Sequence, residues 1–525
     1  MALTQTPRYS RYTSSPERAI SSELQNADVP HVTIVRPCKG LEPCLYDCLS
    51  STLEQDYPAN KLTVCFCVAS NADEACSVIR RVLTEHAGCD AKLLVEEDDP
   101  ALATGAPEAQ RLGPNPKIRN MSRAYREAKG DIVWILDCNI WVGRGVCGRM
   151  VDRLCGYSPS GPKTPFKFVH HLPVAVDISP EEAFAYEESL VAQQDAAPER
   201  ARSDTPKLRS KQHYGGRLDE AFLSSAHAKM YIAINTVAVA PCVCGKSSMF
   251  RRSHLNALTN KDQSTETRFG TGIDYFSENI CEDHLIGDLL WKAAIPPTMP
   301  IAAKRWRNHG LVYGDLALQP ISDMTVSGYI ARRVRWLRVR KFTVPLATLV
   351  EPGTESFACS AIGAFGVTNA PFTKGLFRSL WLWFPAVWVA SICAWITVDW
   401  WIYLLLHSGS TVEPSASNAT SVPAFAQPVK SPRARLRRSF LPWLLSWLCR
   451  EALTFPVWFW AIWGGVTVVW RDKRLWVGLD MKVHEINNDA PSGQHAPLLR
   501  VSQSQKGQAM NGTTAKDLSN KFRQD

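Results

Sequence analysis

Glu282-Asp283-His284, taken with Arg332-Arg333-Val334-Arg335-Trp336, holds the side chains of this sequence best suited to chemistry. An acid in the first motif can take a proton. The arginines of the second can grip phosphate oxygens through paired hydrogen bonds. Trp336 suits a boundary that is apolar at one end and wet at the other, and a long apolar region follows it. These parts fit a reaction between an anionic soluble donor and a lipid at a membrane surface. The same residues also read as an ordinary helix start and a solvated basic face, because short charge patterns recur by chance.

Further candidates lie where strands would end. His31 to Val35 is a β-branched run and the first predicted strand; it leads into Arg36-Pro37-Cys38-Lys39-Gly40, a turn with two cations. Lys61 to Val68 is nearly all apolar, as expected of a strand covered on both faces, and Asp73 lies just past it. Ala91 to Val95 is a third strand, and Asp131 to Asp137 a fourth that Asp137 closes. Helical spacing of Leu41, Leu45, Leu49 and Leu53, and a capped run from Asn71 to His86, separate them. Strands alternating with helices predict a doubly wound, mostly parallel α/β sheet, whose ligands sit outside the carboxyl ends of the strands. Arg36, Lys39, Asp73 and Asp137 would converge there. Asp73 also reads as a helix cap. Asp137 has no helix nearby that needs it, and a strand-end carboxylate suits a divalent cation bridging a nucleotide diphosphate. Asn115-Pro116-Lys117-Ile118 starts another helix, where Lys117 meets either phosphates or solvent. Phe168 to Pro173 reads as a strand ending in His170 and His171, and a lone histidine is usually structural.

The 525 residues carry a formal net charge of +9, 18 tryptophans and 16 cysteines. The positive charge is clustered, which attracts phosphates or anionic lipid; no nucleic-acid partner is expected. Cys65-Phe66-Cys67 and Cys242-Val243-Cys244 lack zinc-ribbon spacing and fit small buried residues in a reducing compartment. Residues 1–30 read as a disordered leader without a signal-like apolar core. Residues 31–341 form the catalytic domain, with a flexible insertion at 188–215. Residues 342–476 are the membrane region, with three apolar spans near 350–373, 379–406 and 452–470. A basic loop at 408–439 carries Arg433, Arg435, Arg437 and Arg438, and the positive-inside rule puts it and residues 1–340 on the cytosolic side. Phe440 to Cys449 is expected to lie in the interface, and residues 477–525 to form a disordered tail. Gly245-Lys246-Ser247 is not a phosphate-cradling loop, because the upstream glycine is missing.

In order, Asp73, Asp137, Glu282-Asp283 and Arg332-x-x-Arg335-Trp336 resemble the D, D, D, (Q/R)xxRW signature of membrane-bound inverting glycosyltransferases. Arg36 to Gly40, Asn115 to Ile118, Val169-His170-x-Leu172-Pro173, Gly245-Lys246-Ser247 and Glu282-Asp283 are similar to motifs of the ceramide glucosyltransferase family. The resemblance spans about residues 31–475 outside the insertion. It implies a Rossmann-like (GT-A) nucleotide-sugar-binding fold followed by C-terminal transmembrane helices. It also implies transfer of glucose, with inversion, from UDP-glucose to the primary hydroxyl of ceramide, giving β-glucosylceramide. By the same resemblance Asp283 is the base, Asp73 holds uridine and ribose, and Asp137 binds Mg²⁺ or Mn²⁺. Lys39 and Lys117 serve the donor, Arg335 with Arg332 stabilises the diphosphate, Trp336 lines the acceptor site, and His170 and Glu282 lie on the acceptor side. A multi-pass protein of the Golgi or endoplasmic reticulum, with its catalytic domain facing the cytosol, is implied.

The family usually begins with a membrane helix, which residues 1–30 do not supply, and Arg332 stands where many transferases carry Gln. Two other readings share these residues. One is another inverting transferase with a lipid or polysaccharide acceptor, although a processive synthase needs more than three spans. The other is a non-catalytic membrane scaffold, against which the retained acids and Arg-Trp pair speak.

Overall fold

The β-branched, apolar run Val32–Pro37 (β1) is buried along its whole length, because parallel strands flank it on both sides. Val32 lies opposite Leu62 of β2 (Leu62–Val68) and Ile132 of β4 (Ile132–Leu136). The computed structural model describes residues 2–10, 18–24, 28–103, 112–183, 213–260, 270–295, 306–373, 380–413, 422–428, 438–471 and 473–486. Its main sheet has seven strands in the order β3-β2-β1-β4-β6-β5-β7, with β3 at Ala91–Val95, β5 at Phe166–Asp177, β6 at Ser247–Arg251 and β7 at Arg307–Ile321. The four strands β3-β2-β1-β4 are parallel, whereas β6 runs antiparallel to β4 and β5.

Two strands of this sheet escape the sequence reading. β6 is only five residues long, and β7 is interrupted by Gly310 and Gly314, which erases its alternation. β5 continues past the histidines to Asp177, so His170 and His171 stand mid-strand rather than at a strand end.

Six helices matter for the site: α1 (Ala75–Glu85), α2 (Pro116–Arg126), α3 (Gly215–Leu223), α4 (Ala226–Val237), α5 (Glu282–Lys292) and α6 (Val326–Thr343). Of the expected insertion at 188–215, residues 188–212 lie outside the described residues, and Gly215 already begins α3.

The leader is not a disordered arm where it is described. Tyr9 is fully buried, the Ile20 and Ser21 amides donate to the Asp152 carboxylate at 2.7 and 2.9 Å, and Ser21 Oγ donates to Gly148 O. Polar composition hid this, because the segment docks through hydrogen bonds more than through apolar area.

The apolar half also departs from expectation. Residues 345–369 form two short helices, α7 (Pro345–Thr354) and α8 (Ser356–Asn369), broken at Glu355. Neither approaches the roughly 20 residues a span needs. α9 (Leu380–Leu406) is long and apolar enough to cross a membrane over Leu382–Leu406, and among the described residues it is the one helix that is. The expected third span at 452–470 is instead the second half of α10 (Phe440–Trp463), which also absorbs the segment read as interfacial. Arg450 and Glu451 sit in the middle of α10, and Arg450 reaches Glu355 at 2.8 Å. Thr467–Trp470 and Lys473–Val477, at the end of the expected membrane region, are strands β8 and β9, and β10 (Val483–Glu485), inside the expected disordered tail, completes a three-stranded sheet with them. Lys229 of α4 pairs with Asp399 of α9 at 2.7 Å, and Trp447 Nε1 donates to the same carboxylate at 2.8 Å. Arg438, from the basic loop, is tied to Asp177 and to Glu220 at 2.6 Å; Arg433, Arg435 and Arg437 lie outside the described residues.

The mid-strand histidines give the fold a pH limit. Burial holds His171 and His309 down to about 4, against an ordinary 6.5. At these histidines the unfolded chain takes up protons that the folded one refuses, so their contribution to stability is full above about pH 6.5 and is lost as pH falls toward 4. With His227 and His254, also held down by burial, they outnumber the buried Glu220 and Asp274 carboxyls, raised to about 7 and about 6, which pull the opposite way. The melting temperature should drop between pH 6.5 and 5, before most carboxylates titrate. A flat melting curve across that window would contradict the burial.

Candidate active site at the carboxyl edge of the sheet

Asp137 follows β4 directly, and two lysines meet it from opposite sides. Lys246 precedes β6, whose antiparallel pairing with β4 brings it back: the Asp137 amide donates to Lys246 O at 3.1 Å, and Lys246 Nζ lies 3.0 Å from Oδ2. Lys117 stands in the first turn of α2, fixed by the Asn115 side chain, which accepts from the amides of Lys117 and Ile118. Lys117 Nζ is 3.0 Å from Asp137 Oδ1 and 3.3 Å from Glu282 Oε1. Burial alone would raise the Asp137 carboxyl, but the two ammonium groups outweigh it and hold the carboxyl well below its usual range. Glu282 is pushed upward by burial, eased by Lys117 and aggravated by Asp283.

Asp283 is the next residue of α5. It is half-buried, and no hydrogen bond or ion pair engages its carboxylate among the described residues. Gly245 packs against it: a Cβ at Gly245 would lie 2.6 Å from an Asp283 carboxylate oxygen. One loop, Gly245-Lys246, thus borders Asp283 and neutralises Asp137.

Asp73 accepts from the Gly40 amide at 2.8 Å and the Ala75 amide at 2.9 Å. It opens α1 and at the same time fixes the turn after β1, where Gly40 takes φ +63°, a conformation suited to glycine. Lys39 stands half-buried in that turn. Arg36 does not reach the edge. It is fully buried and donates to the carbonyls of Cys48, Cys138 and Ile140, so it shapes the loop beyond Asp137.

α6 carries the arginines. Arg332 donates to Gln319 of β7 at 3.3 Å, pairs with buried Asp219 of α3 at 3.5 Å, and lies 4.8 Å from the Trp336 ring. Trp336 packs on Phe222. Arg335 has no hydrogen bond or ion pair among the described residues. Burial brings its guanidinium down to about 10, with Arg332 and Arg471 adding like charge.

Two residues stand elsewhere than expected. His170 is fully buried, hydrogen-bonded to Tyr231 of α4 and packed against His309. Burial keeps it neutral, and it reaches the site only through Tyr231, whose hydroxyl accepts from the Cys244 amide at 3.4 Å. Glu282 turns inward to Lys117 and Asn115 rather than toward an acceptor. Lys246 and Gly245 are what the sequence reading missed as site residues. Their signal was a lysine closing the turn into a strand beside Asp137, invisible until β6 is known to pair with β4.

Among the described residues no group of three Asp, Glu, His or Cys could hold a metal ion. The donor set fits a cation that arrives with a diphosphate, because such an ion needs only one or two protein oxygens; Asp137 would supply them.

The sequence pattern of glycosyl transferase family 21 matches residues 6–177 and 203–483. A ceramide glucosyltransferase of Pyricularia oryzae is 46% identical over 494 residues, covering 91% of this chain and 90% of the relative. Another, from Gibberella zeae, is 42% identical over 523 residues, covering 95% and 93%. Among solved structures, a mannosyltransferase of Pyrobaculum calidifontis in complex with GDP-mannose and Mn²⁺ is 15% identical, covers 88% of this chain and 95% of its own, and has a TM-score of 0.33. The pattern runs through both the sheet edge and the helices that follow it, and with relatives of that identity over nine-tenths of its length the chain belongs to glycosyl transferase family 21.

Proposed function

We propose that this glycosyltransferase moves glucose, with inversion, from UDP-glucose to the primary hydroxyl of ceramide. The observation that carries the reading is the Asp283 carboxylate, unengaged, half-buried and set beside the Asp137–lysine cluster on a GT-A-type sheet edge. The relatives named ceramide glucosyltransferase supply the substrate class.

In the reaction Asp283 accepts the proton of the acceptor hydroxyl as that oxygen bonds to the anomeric carbon. The bond from that carbon to the diphosphate oxygen breaks on the opposite face, and UDP leaves with the electron pair. Arg335, unpaired, takes the diphosphate with Arg332 beside it. Lys39 and Lys117 serve the donor along the same edge, and Asp73 holds the Gly40 turn against uridine and ribose. A divalent cation, Mg²⁺ or Mn²⁺, held by Asp137 with the diphosphate, would neutralise charge on the leaving group. His170 supports the loop beside Asp283 through Tyr231, and Glu282 holds Lys117 in place.

Trp336 packs in an apolar cluster with Phe222, Tyr329 and Leu453, the side of the site that suits the apolar body of the acceptor. α9 and the apolar helices packed on it would hold the protein in the bilayer of the Golgi or endoplasmic reticulum, with the sheet on the cytosolic side.

The deciding experiment is transfer from labelled UDP-glucose to ceramide in membranes of cells lacking the activity. Absence of glucosylceramide would overturn the reading. Asp283→Asn keeps the shape but cannot take the proton; turnover should fall on the order of a hundred- to ten-thousand-fold while UDP still binds. Gly245→Ala should lower turnover by roughly a hundredfold, as a misplacement of about 1 Å can, with the melting temperature nearly unchanged. Arg335→Lys should weaken turnover even at saturating ceramide, because an ammonium cannot make the forked contact. Trp336→Ala should raise the ceramide concentration needed and leave UDP affinity alone. Steady-state kinetics on purified variants, with separate UDP titration, measures all four.

A further inference from the structure

The three-stranded sheet that follows α10 is bolted to the active edge from two directions. Val468, Leu475, Val477 and Val483 form its small core, which Ile280, Val339 and Phe342 close from outside. On the α6 side, Arg338 donates to Thr467 O at 2.7 Å and to Gly464 O at 2.8 Å, and Lys341 donates to Gly465 O at 2.9 Å. Arg338 stands one helical turn beyond Arg335. On the α5 side, the Val483 amide donates to Glu278 O at 2.7 Å, Asn279 Nδ2 donates to Met481 O at 3.0 Å, and Lys482 pairs with Glu278 at 2.6 Å. Residues 278–280 run straight into Glu282 and Asp283. A sheet clamped between the arginine helix and the approach to Asp283 lies beside the edge that both serve.

The turn of this sheet carries a cation. Trp470 of β8 pairs with Lys473 of β9, so the turn between them is tight. Arg471 occupies it with φ +48°, a left-handed conformation that disfavours any residue with a Cβ. Its guanidinium meets the Trp470 ring at 5.9 Å and has no carboxylate among the described residues. Like charge from Arg471 is felt at Arg335, and its field reaches Cys67, the carboxyl end of β2. Among the described residues neither Arg335 nor Arg471 meets a carboxylate, so an anion reaching this face of the hairpin finds two guanidiniums to join it.

We propose that Arg471 is a donor-binding residue: the hairpin following α10 returns to the carboxyl edge and adds a third arginine to the diphosphate of the sugar nucleotide. The inference rests on the transferase reading above and goes beyond it, because this arginine lies outside the D, D, D, RxxRW residues and on the far side of the apolar helices in sequence. It gives the C-terminal sheet a part in catalysis rather than packing alone. It also places a strained backbone position at a ligand contact, where strain is commonly found.

Arg471→Gly tests it on the full-length protein. Glycine removes the guanidinium and at the same time suits the positive φ, so the variant should fold at least as well as the parent. UDP and uridine are titrated separately, with melting temperature as the check on folding. The expected result is UDP affinity weakened about tenfold or more, the loss of one charged contact, with uridine affinity and the ceramide KM unchanged. Arg471→Lys should fall between. Lys473→Gln, on the same hairpin but paired outward with Glu485, should bind UDP as the parent does. UDP affinity unchanged in Arg471→Gly would overturn the inference and leave the transferase reading intact. Equal loss of uridine and UDP would overturn it as well, since the phosphates would not be what Arg471 meets. A parent protein that binds no UDP would overturn both.

Discussion

Asp137 with its two lysines is the constraint on which the rest of the site depends. A carboxylate at the end of a buried strand is costly unless cations reach it. Lys117 and Lys246 come from opposite directions, one from a helix start and one from the turn into an antiparallel strand. Satisfying Asp137 therefore fixes the position of α2 against β4 and of the Gly245 loop against α5. Glu282 is drawn inward by Lys117, and that leaves its neighbour Asp283 as the carboxylate facing outward. The division of labour between adjacent acids follows from which of them the lysine takes.

The same network sets the charge that a donor meets. Within the cluster two ammonium groups stand against Asp137 and Glu282, so it is nearly neutral before Asp283 is counted. The arginines that meet no carboxylate among the described residues are Arg335 and Arg471, on α6 and the C-terminal hairpin. Under the proposed reading a diphosphate is drawn to the arginine side, and the acid beside Gly245 is left to the other reactant. This asymmetry is electrostatic and does not need a moving part.

Much of the site was legible because it uses strand ends. The runs at 32–37, 62–68 and 132–136 announce themselves by β-branched and apolar content, and Asp73 and Asp137 follow them at once. Asp73 resolves two readings into one, since its carboxylate both opens α1 and holds the Gly40 turn. What stayed hidden depends on pairing across long stretches of chain. The lysine at 246 means little until β6 lies antiparallel to β4, and Arg36, which looked like a site cation, turns under the loop. In the apolar half, hydropathy located α9 but misdivided its neighbours. A charge-free window cannot reveal that Arg450 and Glu451 are carried inside a helix by pairing with Glu355, or that residues 467–470 leave it for a strand.

The Lys229–Asp399 pair has a consequence for reach. It ties α4, whose Tyr231 supports the Gly245 loop, to one fixed level along α9. Lengths between the reactive edge and the apolar helix are then referred to this ionic rivet, which Trp447 grips as well. Under the proposed reading, an enzyme built this way would act as a depth gauge, meeting hydroxyls at one set distance from the greasy layer.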